Sequence, residues 1–127
     1  ATVHCSGATT GNREWHRIGH AALRASLRAA HVLALYGGFD AVGLQYGPGY
    51  RTLVQAWGGA STATARLRAR ATPEHKLVHP ADLDDALCTS AAIGSGGGDG
   101  ATRLPFAVDD AQLQVASGSL WAVRRAV

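Results

Sequence analysis

Nine acidic residues serve this chain of 127, and three of them, Asp82, Asp84 and Asp85, fall inside the stretch "LVHPADLDDALCTS" at 77–90. A carboxyl group kept protonated by an apolar surround can act as a general acid at neutral pH. Carboxylates in the first turn of a helix have a plainer use, because the free N–H groups and the helix dipole there favour anions. His79 stands close enough to act as a base, but its place before Pro80 fits better with capping and orienting the helix start. Cys88 follows Asp84 by one helical turn, on the same face. No histidine partner is evident for it, so it reads as a small residue lining a site and not as a nucleophile.

The elements that must hold these groups follow from periodicity and punctuation. "ATVHCSG" alternates weakly as a strand, and "ATTGN" reads as a turn. Between Arg13 and Leu35, Trp15, Ile18, Ala22, Ala25, Ala29 and Val32 recur at helical spacing. One helix is expected there, ending near Gly37-Gly38, with a second short one in "FDAVG". "YRTLVQAW" reads as a strand between glycine-rich turns. From Ala63 to Ala71, small or apolar residues alternate with Thr64, Arg66, Arg68 and Arg70, which predicts a half-exposed strand with an Arg-rich outer face. Pro80 suits a first helical position, and the helix should run to about Ile93. "GSGGGDGAT" is a low-complexity loop, and "RLPFAV", "AQLQVAS" and "SLWAVRRAV" complete the strands. Strand, helix, hairpin, buried helix and strands describe an α+β domain with a helix packed on an antiparallel sheet.

Composition narrows the function classes. Apolar residues make up 46% of the chain, but much of that is alanine, so the core is thin for its percentage. The formal charge is +3 with arginine dispersed, which is no nucleic-acid footprint. Cys5 and Cys88 show no metal-ligand spacing and fit free thiols in a reducing compartment, with one disulfide between them left open; an intracellular, cytoplasmic location is expected. No window approaches the ~20 apolar residues of a membrane span. The start lacks the basic and apolar regions of a signal peptide, and the absence of Met even at position 1 leads us to expect an excised or processed piece.

Three motifs then occur in order. "GLQYGPGY" at Gly43–Tyr50 resembles the G-Y-x-Y-G-P-x-F element of dehydratase domains in polyketide synthases, with Leu44 for the first aromatic and Tyr50 for the final Phe. "HPADLDDAL" is similar to that family's H-P-A-L-L-D-A-A-L, with Asp84 on its catalytic Asp. "LPFAV" at Leu104–Val108 resembles L-P-F-x-W, with Val108 in place of Trp.

The resemblance implies a hot-dog fold, an antiparallel sheet wrapped around a helix, and here the second half of a double hot-dog. Residues 1–10 would be the last strand of a preceding half, 11–42 a helical linker, and 43–127 the C-terminal hot-dog subdomain. In such enzymes a His of the first half removes the α-proton of a β-hydroxyacyl thioester. An Asp of the second half protonates the departing hydroxyl. The implied partners are the N-terminal hot-dog half, an acyl carrier protein whose phosphopantetheine carries the substrate, and neighbouring synthase domains. A homodimer stays open, and no metal or dissociable cofactor is required. Asp84 is the expected acid, while Tyr46, Gly47, Pro48, His79, Cys88, Pro105 and Phe106 are expected around the acyl tunnel.

Departures from the pattern qualify this reading. None of the six histidines has glycine four residues on, so the family's H-x-x-x-G base motif is lacking. Cys88 stands where the family has Gln or His. Asp82 and Asp85 replace apolar residues and are expected as solvent-facing first-turn acids that make Asp84 harder to ionise. A non-catalytic dehydratase-like scaffold or dimerisation module is the main alternative, and an isolated hot-dog thioesterase or hydratase is disfavoured for want of its own base.

Overall fold

A computed structural model describes residues 18–69, 79–94, 108, 111 and 119–126. Its elements are α1 (His20–Ala25), β1 (Arg28–Ala30), α2 (Val32–Ala41), a 3-10 turn (Pro48–Tyr50), β2 (Leu53–Gly58), β3 (Thr62–Leu67), α3 (Pro80–Cys88) with a 3-10 extension (Thr89–Ala92), and β4 (Leu120–Arg125). The four strands form one antiparallel sheet in the order β1-β2-β3-β4.

Alanine, which made the core look thin, forms a continuous row across the sheet. Ala30, Ala56, Ala65 and Ala122 lie opposite one another across all four strands. Beside that row, Leu53, Leu67 and Leu120 form a second. A bulge at Val54 keeps Leu53 on the same face as Ala56 despite their spacing, and leaves Val54 exposed. Tyr36 of α2 seals this face together with Leu35, Phe39 and Tyr46.

Several sequence expectations are corrected here. The long helix expected over Arg13–Leu35 does not persist in its described part: α1 stops at Ala25, and Arg28–Ala30 pairs with β2 instead. Strand pairing overrides the helical propensity of Ala and Arg. The segment read as a helical linker therefore contributes an edge strand to the sheet. Conversely, α2 runs through Gly37-Gly38, where an end was expected, and absorbs the short helix expected in "FDAVG". His31 caps it by accepting from the Ala34 N–H at 3.3 Å. Burial of Tyr36 and Phe39 outweighs the roughly 1 kcal/mol that each glycine costs a helix. Gly43, at φ +87°, then turns the chain away.

The hairpin of β2 and β3 matches expectation, but β3 ends at Leu67: of the expected arginine row Arg66 is half-buried, Arg68 is exposed beyond the strand end, and Arg70 lies outside the described residues. Thr64 is fully buried and donates to the Ala122 carbonyl at 3.0 Å. Trp57 and Trp121 from the flanking strands stack with centroids 5.9 Å apart, and the Arg24 guanidinium of α1 lies 5.2 Å from each ring centroid. His20 stacks on Trp121 at 4.6 Å. The expected strand at the N-terminus and those at "RLPFAV" and "AQLQVAS" lie outside the described residues, apart from Val108 and Ala111, which are exposed and not in a strand.

Candidate active site around Asp84

His79 and Pro80 start α3 as their types predict. The His79 Nδ1 accepts from the Ala81 N–H at 3.1 Å, and Pro80 occupies the first turn, where no N–H is needed. His79 thus caps the helix, the role that its place before Pro80 suggests. Helical order ends at Cys88, and the 3-10 extension carries the chain to Ala92, close to the expected end.

The inward stripe of α3 is the reverse of what hydrophobicity suggests. Ala81, Asp82, Asp85 and Thr89 are buried, while Leu83 is exposed. Asp82 is 5% exposed and Asp85 0%, so the expectation that both face solvent is wrong. For Asp85 the reason is a set of donors on neighbouring elements. Asp85 Oδ1 accepts from Tyr36 Oη at 2.9 Å, and Oδ2 accepts from Thr52 Oγ1 at 2.7 Å and from the Thr52 backbone N–H. Tyr36 Oη in turn accepts from the Leu53 N–H at 3.2 Å, and Thr89 Oγ1 donates to the Asp85 carbonyl at 3.1 Å. Neither Tyr36 nor Thr52 was singled out from the sequence. The only sequence signal was an Asp where the resembling motif has Ala.

Burial raises the Tyr36 hydroxyl well above the usual phenol range, with the Leu53 N–H opposing and Asp85 adding to it. It therefore stays a donor to Asp85 at any ordinary pH. Tyr36→Phe removes that donor to a carboxylate and should lower stability by about 1.5–3 kcal/mol, read from urea unfolding midpoints.

Asp84 and Cys88 occupy the half-buried flank of α3. The Tyr46 hydroxyl reaches Cys88 Sγ at 3.1 Å. Tyr46 is held by Arg51, whose Nε donates to its carbonyl at 2.8 Å, and by edge contacts with Tyr36 and Phe39 at 5.9 and 5.5 Å. Gly47 and Pro48 are exposed and build the turn after Tyr46, closed by the Tyr50 N–H to the Gly47 carbonyl at 2.9 Å. Pro105 and Phe106 lie outside the described residues. Asp84, Tyr46 and Cys88 therefore come together, with Gly47 and Pro48 in support.

Electrostatics favour neutral forms throughout this cluster. Burial raises the Asp84 carboxyl above the usual range and the Asp85 charge adds to that, while the Tyr46 hydroxyl pulls the other way. Burial likewise raises the Tyr46 hydroxyl beyond the usual phenol range, with Cys88 adding to it. Burial pushes the Cys88 thiol up to about 11; Tyr46 opposes this, and Asp84 and Asp85 reinforce it. At neutral pH that leaves roughly a hundredfold less thiolate than in an ordinary cysteine. Iodoacetamide should accordingly label Cys88 at least about tenfold more slowly than a free thiol at pH 7.5, with a rate still climbing at pH 10. Among the described residues no group of three or more His, Cys, Asp or Glu is placed to hold a metal ion, and no helix is long and apolar enough to cross a membrane.

Comparison with known proteins converges on one family. Residues 19–127 match the family model described as the polyketide synthase dehydratase N-terminal domain. The chain is 36% identical over 126 residues to polyketide synthase ThaG of Burkholderia thailandensis, and 29% identical over 119 residues to polyketide synthase PksN of Bacillus subtilis. Those alignments cover 94% and 87% of the chain, but the chain spans only 2% of the length of either relative. Among solved structures, a CurK dehydratase described as an Asp-to-Asn inactive mutant superposes with a TM-score of 0.69 at 21% identity, covering 87% of this chain and 43% of that one. The dehydratase domain from the CurK module of the curacin polyketide synthase gives 0.63 at 24%, covering 87% and 42%. The fold is accordingly hot-dog, an α+β arrangement of an antiparallel four-stranded sheet and a packed helix.

Proposed function

The chain belongs to the polyketide synthase dehydratase domain family, and from that premise we propose that it is mainly the second hot-dog half of such a dehydratase, with Asp84 as its general acid. The observation that carries the reading is Asp84 on α3, one turn from Cys88 and served by the Tyr46 hydroxyl, in surroundings that favour its protonated form. The match of the chain to 42–43% of the CurK dehydratase structures supports a half-domain. The family description names an N-terminal domain; assignment to the second half rests on the motifs at 43–50 and 79–87.

The proposed substrate is a β-hydroxyacyl thioester on the phosphopantetheine arm of an acyl carrier protein. A base on the preceding half removes the Cα proton, and the freed electron pair forms the Cα–Cβ double bond as the Cβ–O bond breaks. Asp84 delivers its proton to the departing hydroxyl, which leaves as water. CurK dehydratase is described as inactive in both an Asp-to-Asn and a His-to-Phe mutant, which supports a carboxyl acid and an imidazole base as the working pair. A neutral Cys88 suits this chemistry, because a thiolate would add to the α,β-enoyl product. The neighbouring synthase domains and the carrier protein would be the intracellular partners.

Cys88, where the family has Gln or His, favours a second reading in which the unit is a non-catalytic scaffold or dimerisation module. One experiment separates them. The chain is joined to its preceding half and assayed with a β-hydroxyacyl thioester; turnover that Asp84→Asn abolishes supports the acid, and turnover unchanged by that substitution ends the assignment.

A further inference from the structure

We propose that Asp85 is a positioning residue for Asp84: its buried carboxylate, clamped by Tyr36 and Thr52, fixes the turn of α3 that carries Asp84 and sets a negative charge beside it. This deepens the reading of Asp84 as the acid and rests on it. Tyr36 comes from α2 and Thr52 from the residue before β2, so one side chain ties α3 to both. Three donors converge on its two oxygens, the acceptor-only role of an ionised carboxylate. The motif that 79–87 resembles has alanine at this position, so the device belongs to this chain and not to the motif.

The titratable and charged groups facing Asp85 are Tyr36 from α2, Tyr46 from the segment before the 3-10 turn, and Asp84 and Cys88 from α3. Arg51 lies over the Tyr36 ring, 5.6 Å from its centroid, with its Nε committed to the Tyr46 carbonyl. Among the described residues no basic group bonds Asp85. Hydrogen-bond dipoles hold its charge without a counter-ion, so that charge remains felt along α3 and opposes ionisation of Asp84.

The test follows the Asp84 side-chain carboxyl by 13C NMR through a pH titration of the chain, in the wild type, Asp85→Asn and Tyr36→Phe. Asp85→Asn should move the Asp84 midpoint to lower pH, because the neighbouring charge is gone. Tyr36→Phe loosens the clamp but keeps the charge, and should move the midpoint by clearly less than Asp85→Asn does. A merely structural Asp85 would make the two variants behave alike. If Asp85→Asn does not fold, the Asp85→Ala/Tyr36→Phe double variant, which strands no tyrosine hydroxyl, takes its place. An unmoved midpoint in a folded charge-removed variant, or an equal shift in Tyr36→Phe, overturns the proposal. This readout is independent of turnover: loss of the Asp85 effect with Asp84→Asn still inactive rejects only the positioning role, whereas an active Asp84→Asn rejects the acid itself.

Discussion

Asp84→Asn, in the chain joined to its preceding half, is expected to lower kcat for dehydration by about 10²–10⁴-fold, the usual contribution of a positioned general acid. The amide keeps the shape and polarity of the carboxyl but has no proton acidic enough to transfer to a hydroxyl leaving group. Stability should move the other way. The folded state holds the Asp84 proton more tightly than the unfolded chain does, because burial and the Asp85 charge raise its carboxyl. Stability from that proton is complete below the ordinary aspartate value and is lost as pH rises through the raised one. Asn carries no such liability, so the variant should melt at an equal or higher temperature than the wild type at pH 7 and show less decline between acidic and neutral pH. Thermal melts at pH 4 and pH 7 beside the kinetic assay check both halves. Loss of turnover together with a lower melting temperature at pH 7 would mean that the substitution damaged the fold.

The largest effect on stability is expected at Gly58, the last residue of β2. A Cβ built there would lie 1.5 Å from the carbonyl oxygen of Ala92 and 2.4 Å from its carbonyl carbon. Both atoms are backbone of the 3-10 extension that follows α3, so relief requires moving the segment anchored by Thr89 and Asp85. Overpacking typically costs about 1–3 kcal/mol, and a rigid obstacle argues for the upper end. Gly58→Ala should therefore lower the melting temperature by roughly 10 °C. Gly37 is the control: nothing lies within 4 Å of its added Cβ, and it sits inside α2. Gly37→Ala should stabilise by about 0.5–1 kcal/mol through helix propensity and a less mobile unfolded chain. If both substitutions destabilise equally, the close approach of β2 to the 3-10 extension is not what Gly58 serves.

The hairpin of β2 and β3, the strand at Leu120–Arg125 and the start of α3 at His79-Pro80 were legible because their signals are local: alternation, turn glycines and a capping residue before proline. The ends of the first helices were not. Arg28–Ala30 reads as helix until β2 offers its edge, and Gly37-Gly38 reads as a stop until Tyr36 and Phe39 find a core. The same division runs through the site. Motif order singled out Asp84, with Tyr46 and Cys88 near it, because spacing along one helix and one turn motif is written in the chain. That three acidic residues are two kinds of residue was not written there. Asp85 faces inward because Tyr36, sixteen positions before Thr52, joins it in supplying donors to that carboxylate across an interval of more than thirty residues. A buried charge is tolerable only where such donors converge, and convergence between distant segments is a property of the packed molecule, which periodicity and composition do not record.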